Sequence, residues 1–283
     1  MVYLFLSILL FSINNILWKK NISDVNITFL VSYRALFTSL FSIGFALYFH
    51  SFDAVTLTDI FRTSVGSIFG VIGLLSMLIV IKEASLHWVS IYNLLGIFFT
   101  TCYLIMIEKF EISNSILGAF LIVLGFIYHV VTNTNKQLHM TLKQHLLLLL
   151  MTVSFCVSSI IHWKNLAKEI PALVILSNQE LVVFSVTFLI SCFSLKPIEF
   201  VEYYKQYFAK VALMASVIFF ALLFSFLGLK LTNPIISSIV FLANPLMTIV
   251  LNLIVFKEKL TKHNLVALLF FVLGAFLLHF HSV

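Results

Sequence analysis

The chain has 283 residues, of which 61% are hydrophobic and only 10% are charged, and its formal net charge is +6 at pH 7. Soluble globular proteins carry roughly 25% charged residues, so this composition excludes a soluble protein and predicts one that crosses a membrane several times. The sequence has no Gly-rich phosphate loop ending in Gly-Lys-Ser or Gly-Lys-Thr, which argues against a built-in ATP motor.

At about 20 apolar residues per membrane crossing, the sequence predicts ten helical segments, which we number in chain order. The loops between them are short, so no sizeable aqueous domain is expected. The first segment lacks a positively charged leader and a small-residue cleavage site, so we expect it to be retained. The segments cover residues 2–18, 27–49, 64–82, 86–107, 115–132, 145–162, 172–194, 208–230, 234–256 and 263–280.

The positive charges lie mostly at segment ends, where lysines reach lipid headgroups, and they do not indicate nucleic-acid binding. Loops after odd-numbered segments hold eleven Lys and Arg residues, and loops after even-numbered segments hold five. By the positive-inside rule, this bias favours odd loops in the cytoplasm and both termini outside. The stretch 196–210 mixes charges with tyrosines, which is typical of a segment in the headgroup region.

The second half of the chain repeats the plan of the first. Trp18-Lys19, after the first apolar segment, recurs as Trp163-Lys164 after the sixth, and Glu108 after the fourth recurs as Glu258 after the ninth. Each half holds five segments, an odd number, so the second half must enter the bilayer in the opposite orientation. The sequence therefore predicts an all-α integral membrane protein whose ten transmembrane helices form two inverted five-helix repeats.

A polar stretch at 132–145 separates segment five from segment six and is the only one long enough to be a linker. It places the repeat boundary near residue 138, with repeats at 1–138 and 139–283. In segment three, Gly66, Gly70 and Gly73 form a pattern that lets helices approach closely. Those glycines pack either inside one chain or at the face of a homodimer, so a monomer and a homodimer both stay open.

Segment nine carries a more specific pattern, with Asn244-Pro245-Leu246 in mid-helix, then Phe256-Lys257-Glu258-Lys259-Leu260, then Gly274. It resembles the EamA-type signature of the drug/metabolite transporter superfamily. The first half carries a looser copy, with Asn93-Leu94-Leu95, Glu108-Lys109-Phe110 and Gly125. Two departures are Lys257, where the family usually has glycine, and the absence of a proline from segment four.

The resemblance implies a ten-helix basket around a central cavity that moves a small metabolite by alternating access. The superfamily handles amino acids, purines, sugars, nucleotide conjugates and drugs. We therefore expect a secondary transporter of an amino acid or similar metabolite, acting as an exporter and driven by protons or by the cargo's own gradient. The Phe-, Ile- and Asn-rich composition indicates an AT-rich genome, so we expect a bacterial cytoplasmic (inner) membrane.

Other functions stay open as alternatives, namely a membrane-embedded enzyme acting on lipid and a membrane sensor. We expect no enzyme, because the sequence lacks paired aspartates, a nucleophile elbow and a loop large enough to hold a soluble donor. We also expect no cofactor and no metal, since the three cysteines lie scattered in apolar segments and the histidines lack His-Glu-x-x-His spacing. His162 is expected near a membrane interface, and Glu108 and Glu258 are expected to cap short hairpins.

Two charges lie deep in predicted segments, Arg34 in segment two and Glu180 in segment seven. A charge at such depth is costly, by about 2.5 to 3.5 kcal/mol on insertion scales, and usually lines a cavity or pairs with another charge. In one interpretation both face the cavity, where Arg34 holds a cargo carboxylate and Glu180 holds an amine or carries a proton. In the other, they form a fixed ion pair between the repeats, or either side chain reaches toward a membrane interface.

Neutral polar side chains within the segments are further candidates for cargo binding. Each alone more often forms an interhelical hydrogen bond, which stabilises the protein by about 0.6 kcal/mol. Together they predict a polar cavity. Pro245 breaks the helical hydrogen-bond ladder and is predicted to be a hinge, or a kink whose freed carbonyl is satisfied locally. The predicted cavity residues, with the two charges included, are Asn15, Arg34, Tyr92, Asn93, Glu180 and Asn244.

Overall fold

The computed structural model describes residues 1–21, 25–83, 116–133, 141–194, 197–241 and 262–281, with single positions between 89 and 108 and between 243 and 251. In this part of the chain, helices are joined by turns and short irregular stretches, and there is no strand. Five of its helices are long and apolar enough to cross a membrane, those of segments two, three, six, seven and eight. The all-helical fold is thus confirmed, while the count of ten crossings stays a prediction.

The observed helices follow the predicted segments closely at most ends. Segment four is described only at single positions, several of them helical. In chain order the helices are Val2–Asn21, Ile27–Tyr48, Leu57–Glu83, Ile116–Asn133, Leu142–Ala167, Ala172–Ser194, Pro197–Leu231, Pro234–Phe241 and Lys262–His281, which belong to segments one, two, three, five, six, seven, eight, nine and ten.

The helix of segment three begins earlier than predicted, at Leu57 and not at residue 64. Its start is fixed by Thr56, whose backbone N–H and hydroxyl both donate to the Asp59 carboxylate. The Asp59 backbone N–H donates in turn to the Thr56 hydroxyl. This reciprocal cap satisfies backbone donors that a helix start leaves open, and hydropathy alone gives no sign of it.

The helix of segment eight also exceeds its prediction, since it begins at Pro197 and runs unbroken for 35 residues to Leu231. Proline is well suited to the first helical position, and no glycine or further proline follows until Gly228. At 1.5 Å per residue the helix is about 52 Å long, whereas the hydrocarbon core is about 30 Å thick. Residues 197–210 therefore continue this helix beyond the core.

The helices of segments two and seven pack against each other along their length and run antiparallel. Thr28 near the start of one meets Ser191 near the end of the other, at 3.0 Å between the hydroxyl oxygens. Segments five and ten pair in the same sense, with the Tyr128 hydroxyl 2.9 Å from His263 Nδ1. The other extensive contacts join segments three and six, one and eight, three and seven, and two and eight.

The glycines of segment three face segment six within the same chain. A Cβ at Gly73 would lie 2.7 Å from the Phe155 ring, and one at Gly66 would lie 2.9 Å from Cε1 of His162. Gly70 lies opposite Ser158, where a Cβ would be 3.4 Å from the hydroxyl. The close approach therefore serves packing inside the chain.

Gly73→Ala should lower stability, because the added methyl overlaps the Phe155 ring and overpacking typically destabilises by about 1 to 3 kcal/mol. The matched control is Gly44→Ala in segment two, where a Cβ would meet nothing within 4 Å. That change should be neutral or mildly stabilising, since alanine is the better helix former. Thermal unfolding of both variants in the same detergent checks this, and equal shifts would contradict the packing.

Candidate functional site

The two deep charges form an ion pair between the halves of the chain. Arg34 Nη1 donates to Glu180 Oε2 at 2.8 Å, and the side chains are only 4% and 2% exposed. Arg34 Nε is buried without a hydrogen-bond partner in the described part of the chain. Of the two interpretations drawn from the sequence, the ion pair is the geometry that the structure contains.

This pair can hold the two helices together or bind cargo, but it cannot do both at once. A cargo carboxylate can reach Arg34 only if Glu180 leaves it, and the released charge would then be buried without a partner. Removing one partner of a buried ion pair typically destabilises by about 3 to 5 kcal/mol. The closed pair therefore favours a fixed tie between segments two and seven.

A second polar contact joins segment one to segment nine. Asn244 Oδ1 accepts a hydrogen bond from the Ser12 hydroxyl at 2.8 Å and another from Asn15 Nδ2 at 3.3 Å. The Ser12 hydroxyl also lies 3.2 Å from the Asn244 carbonyl oxygen. Ser12 is buried, whereas Asn15 and Asn244 are half-buried. Two predicted cavity residues, Asn15 and Asn244, thus meet directly, and we call these three residues the amide cluster.

The amide cluster lies about ten residues into each of the two segments that it joins. Ser12 is the eleventh residue of a helix that starts at Val2, and Asn244 comes ten residues after Pro234, where segment nine begins. At 1.5 Å per residue, Ser12 lies about 15 Å along its helix, which is half of the roughly 30 Å hydrocarbon thickness. If segments one and nine cross the bilayer as the sequence predicts, the amide cluster lies at the depth at which secondary transporters bind their cargo.

Tyr92, the predicted cavity residue of segment four, contacts segment six and not the amide cluster. Its hydroxyl lies 2.9 Å from His145 Nδ1, and its carbonyl accepts a hydrogen bond from the Thr152 hydroxyl at 3.1 Å. The predicted cavity residue Asn93 and the predicted hinge Pro245 lie outside the described residues. The structure thus places the predicted residues that it describes in three separate contacts, each of which joins the two halves.

The EamA-like transporter family matches residues 143–280 of this chain. The match covers Glu180, Asn244 and the signature at 244–274 that carried the resemblance. Residues 143–280 belong to the EamA-like transporter family. The resemblance inferred from the sequence is therefore confirmed.

The fold of the whole chain resembles that of proteins of known structure. A crystal structure aligns with 98% of this chain and 94% of its own, at a TM-score of 0.74 and 15% sequence identity. Twenty-eight chains of known structure match in all. At this identity the likeness shows the fold alone. None of the curated proteins matches the chain.

The EamA-like match over residues 143–280, together with the apolar helices, supports an integral membrane protein with several crossings. A transporter family also indicates a small-molecule substrate and a lipid environment. A transporter family is also consistent with the expectation that the protein is not an enzyme.

Sequence reasoning missed an ion pair between the EamA-like half and the first half. Lys164 Nζ lies 2.6 Å from Glu108 Oε1, and the Tyr103 hydroxyl joins both, at 2.9 Å from Lys164 Nζ and 3.1 Å from Glu108 Oε1. The hydrogen bonds from Lys164 and Tyr103 hold the pKa of the Glu108 carboxyl below its usual value. Glu108, expected only as a hairpin cap, thus ties the end of segment four to segment six.

His162 of the EamA-like half is enclosed by neighbouring helices, which the sequence did not indicate. It is 2% exposed and packs between Gly66 and the Phe226 ring, whose centroid is 5.3 Å away, while its expected place near a membrane interface stays a prediction. Neither ring nitrogen has a hydrogen-bond partner among the described residues. The approach of the Gly66 backbone is what encloses it, and a lone glycine in a sequence does not identify its partner.

Proposed function

We propose that this protein is a secondary transporter that exports a small metabolite across a bacterial cytoplasmic membrane by alternating access. Two inverted five-helix repeats, 1–138 and 139–283, would rock against each other around a central cavity. The observation that carries the proposal is the antiparallel pairing of segment two with segment seven, which are equivalent positions of the two halves.

Equivalent segments that run antiparallel require halves of opposite orientation. Segment two pairs with seven and segment five with ten, and both pairs are antiparallel. The other extensive contacts also fall into equivalent pairs when each segment is replaced by its counterpart, five segments along the chain. The contact of segments three and six then corresponds to that of eight and one, and the contact of three and seven to that of eight and two. An approximate two-fold axis in the membrane plane would produce this pattern, and such repeats support alternating exposure of one site.

We place the cargo site at the amide cluster, which lies between a segment of each repeat at mid-depth. Tyr92 and Asn93 would supply the counterpart in segment four, and Pro245 would be the hinge beside Asn244. Arg34 and Glu180 would hold segments two and seven together, so that the repeats move without coming apart. Protons or the cargo's own gradient would supply the driving force.

Flux through purified protein in liposomes tests this function. Amino acids, purines and aromatic metabolites would be offered with the pH gradient imposed in either direction, and protein-free liposomes would report passive leak. Saturable flux that shows counterflow is expected, and dependence on the pH gradient would identify proton coupling. Conversion of lipid or cargo to a new covalent product would contradict a transporter and favour the enzyme alternative.

A further inference from the structure

Arg34 and Glu180 are the only Asp, Glu, Lys or Arg residues in the interior of the ten predicted segments. Lys82, Lys210 and Lys230 lie within three residues of a segment end, where their side chains reach the headgroups. Segments one, four, six and nine, which form the contacts around the amide cluster and Tyr92, contain no such charge. The counter-charges available to a cargo at mid-depth are therefore limited to one arginine and one glutamate.

Arg34 and Glu180 already pair with each other. They lie 2.8 Å apart and are almost fully buried, so each neutralises the other away from any open space. A charged or zwitterionic cargo would have to insert between them, or bind at mid-depth without a counter-charge. A buried charge without a partner is strongly unfavourable.

The amide cluster offers a different kind of chemistry. Asn15 donates one hydrogen bond to Asn244, and its Oδ1 accepts none from the described residues, although the side chain is half-buried. A carboxamide presents an acceptor and a donor side by side in one plane, which is the pattern that pairs with an amide or with the edge of a nucleobase. The cluster can thus bind a neutral polar group by two hydrogen bonds.

On the basis of the proposed transport function, we propose that the cargo is a small uncharged molecule that carries adjacent hydrogen-bond donor and acceptor groups, as in amides and nucleobases. Asn15 pairs with that edge, while the paired Arg34 and Glu180 take no part in binding. Selectivity then comes from the absence of a counter-charge as much as from the amide contacts.

The test is counterflow into liposomes that contain the full-length protein. Nicotinamide and uracil represent uncharged cargo, leucine a zwitterion, succinate an anion and putrescine a cation, with protein-free liposomes to correct for leak. We expect saturable counterflow of an uncharged probe, at least about tenfold above any charged probe. Asn15→Leu should reduce it by at least about tenfold, because a site built to hydrogen-bond its substrate discriminates strongly.

The matched control is Asn178→Leu, which also removes a part-buried interhelical amide. Asn178 Nδ2 donates to the Ile60 carbonyl and to the Ser64 hydroxyl, both at 2.9 Å, away from the amide cluster. This variant should keep the flux per folded molecule. Saturable counterflow of leucine, succinate or putrescine would overturn the inference and leave the transport function standing. If no probe shows saturable counterflow although the protein is folded, the result would count against the transport function, and therefore also against the inference about its cargo.

Discussion

Replacing Glu180 with glutamine should destabilise the protein by about 3 to 5 kcal/mol, because the change leaves the Arg34 charge buried without a partner. Arg34→Met should have an effect of similar size, since it leaves the Glu180 carboxylate in the same position. Replacing both together, as Arg34→Met with Glu180→Leu, should restore most of the stability. Apolar residues of similar volume often substitute for a buried ion pair without loss.

Denaturant titration of the single and double variants in a common detergent measures these differences in the free energy of unfolding. The matched control is Glu108→Gln, which removes one partner of an ion pair whose side chains are 43% and 29% exposed. Exposed pairs contribute about 0 to 1 kcal/mol, so this variant should change little. Equal losses in Glu180→Gln and Glu108→Gln would contradict the buried tie.

The same double variant separates the two roles considered for this pair. If Arg34 and Glu180 only hold segments two and seven together, the refolded double variant should transport nearly as well as wild type. Loss of all flux from a stable double variant would instead show that one of the charges binds cargo or carries a proton.

The depth of the two charges could be predicted from the sequence, but not their contact. Arg34 and Glu180 lie at similar depths in equivalent segments, which made a pair and a pair of cargo ligands equally compatible with the pattern. What decides between them is the rotation of each helix about its axis, and this is set by packing against neighbours. Apolar residues occur on both the buried and the exposed faces of segments two and seven, and the buried residues include small polar side chains such as Ser39 and Thr187, so hydropathy alone does not reveal which face points inward.

Contacts between the halves were the least predictable part of the site. The ion pair of Lys164 with Glu108 joins residues that are 56 positions apart, and each has a sufficient local explanation at a segment end. By contrast, Asn15 and Asn244 were both selected from the sequence as amides within largely apolar segments, and the structure brings the two side chains into contact. Polar residues within apolar segments are informative because the membrane offers them few other partners.

Asn244→Leu should reduce transport by at least about tenfold while changing stability by only about 0.6 kcal/mol, the average worth of an interhelical hydrogen bond in a membrane protein. The stability change is expected to be small because Ser12 can turn its hydroxyl to a carbonyl of its own helix, and Asn15 is half-buried. The transport change is expected to be large because Asn244 Oδ1 orients Asn15 toward the cargo. The two quantities should therefore separate.

A large loss of flux with a small loss of stability distinguishes a cargo-binding residue from one that only holds two helices together. If Asn244 served only to hold segments one and nine together, its loss would lower stability and flux in proportion, and a stabilising lipid would restore both. Flux normalised to folded protein, measured beside the unfolding midpoint, decides between these cases, and Asn178→Leu gives the behaviour of an amide that only packs. A proportional loss in Asn244→Leu would move the cargo site away from the amide cluster and toward Tyr92 and segment four.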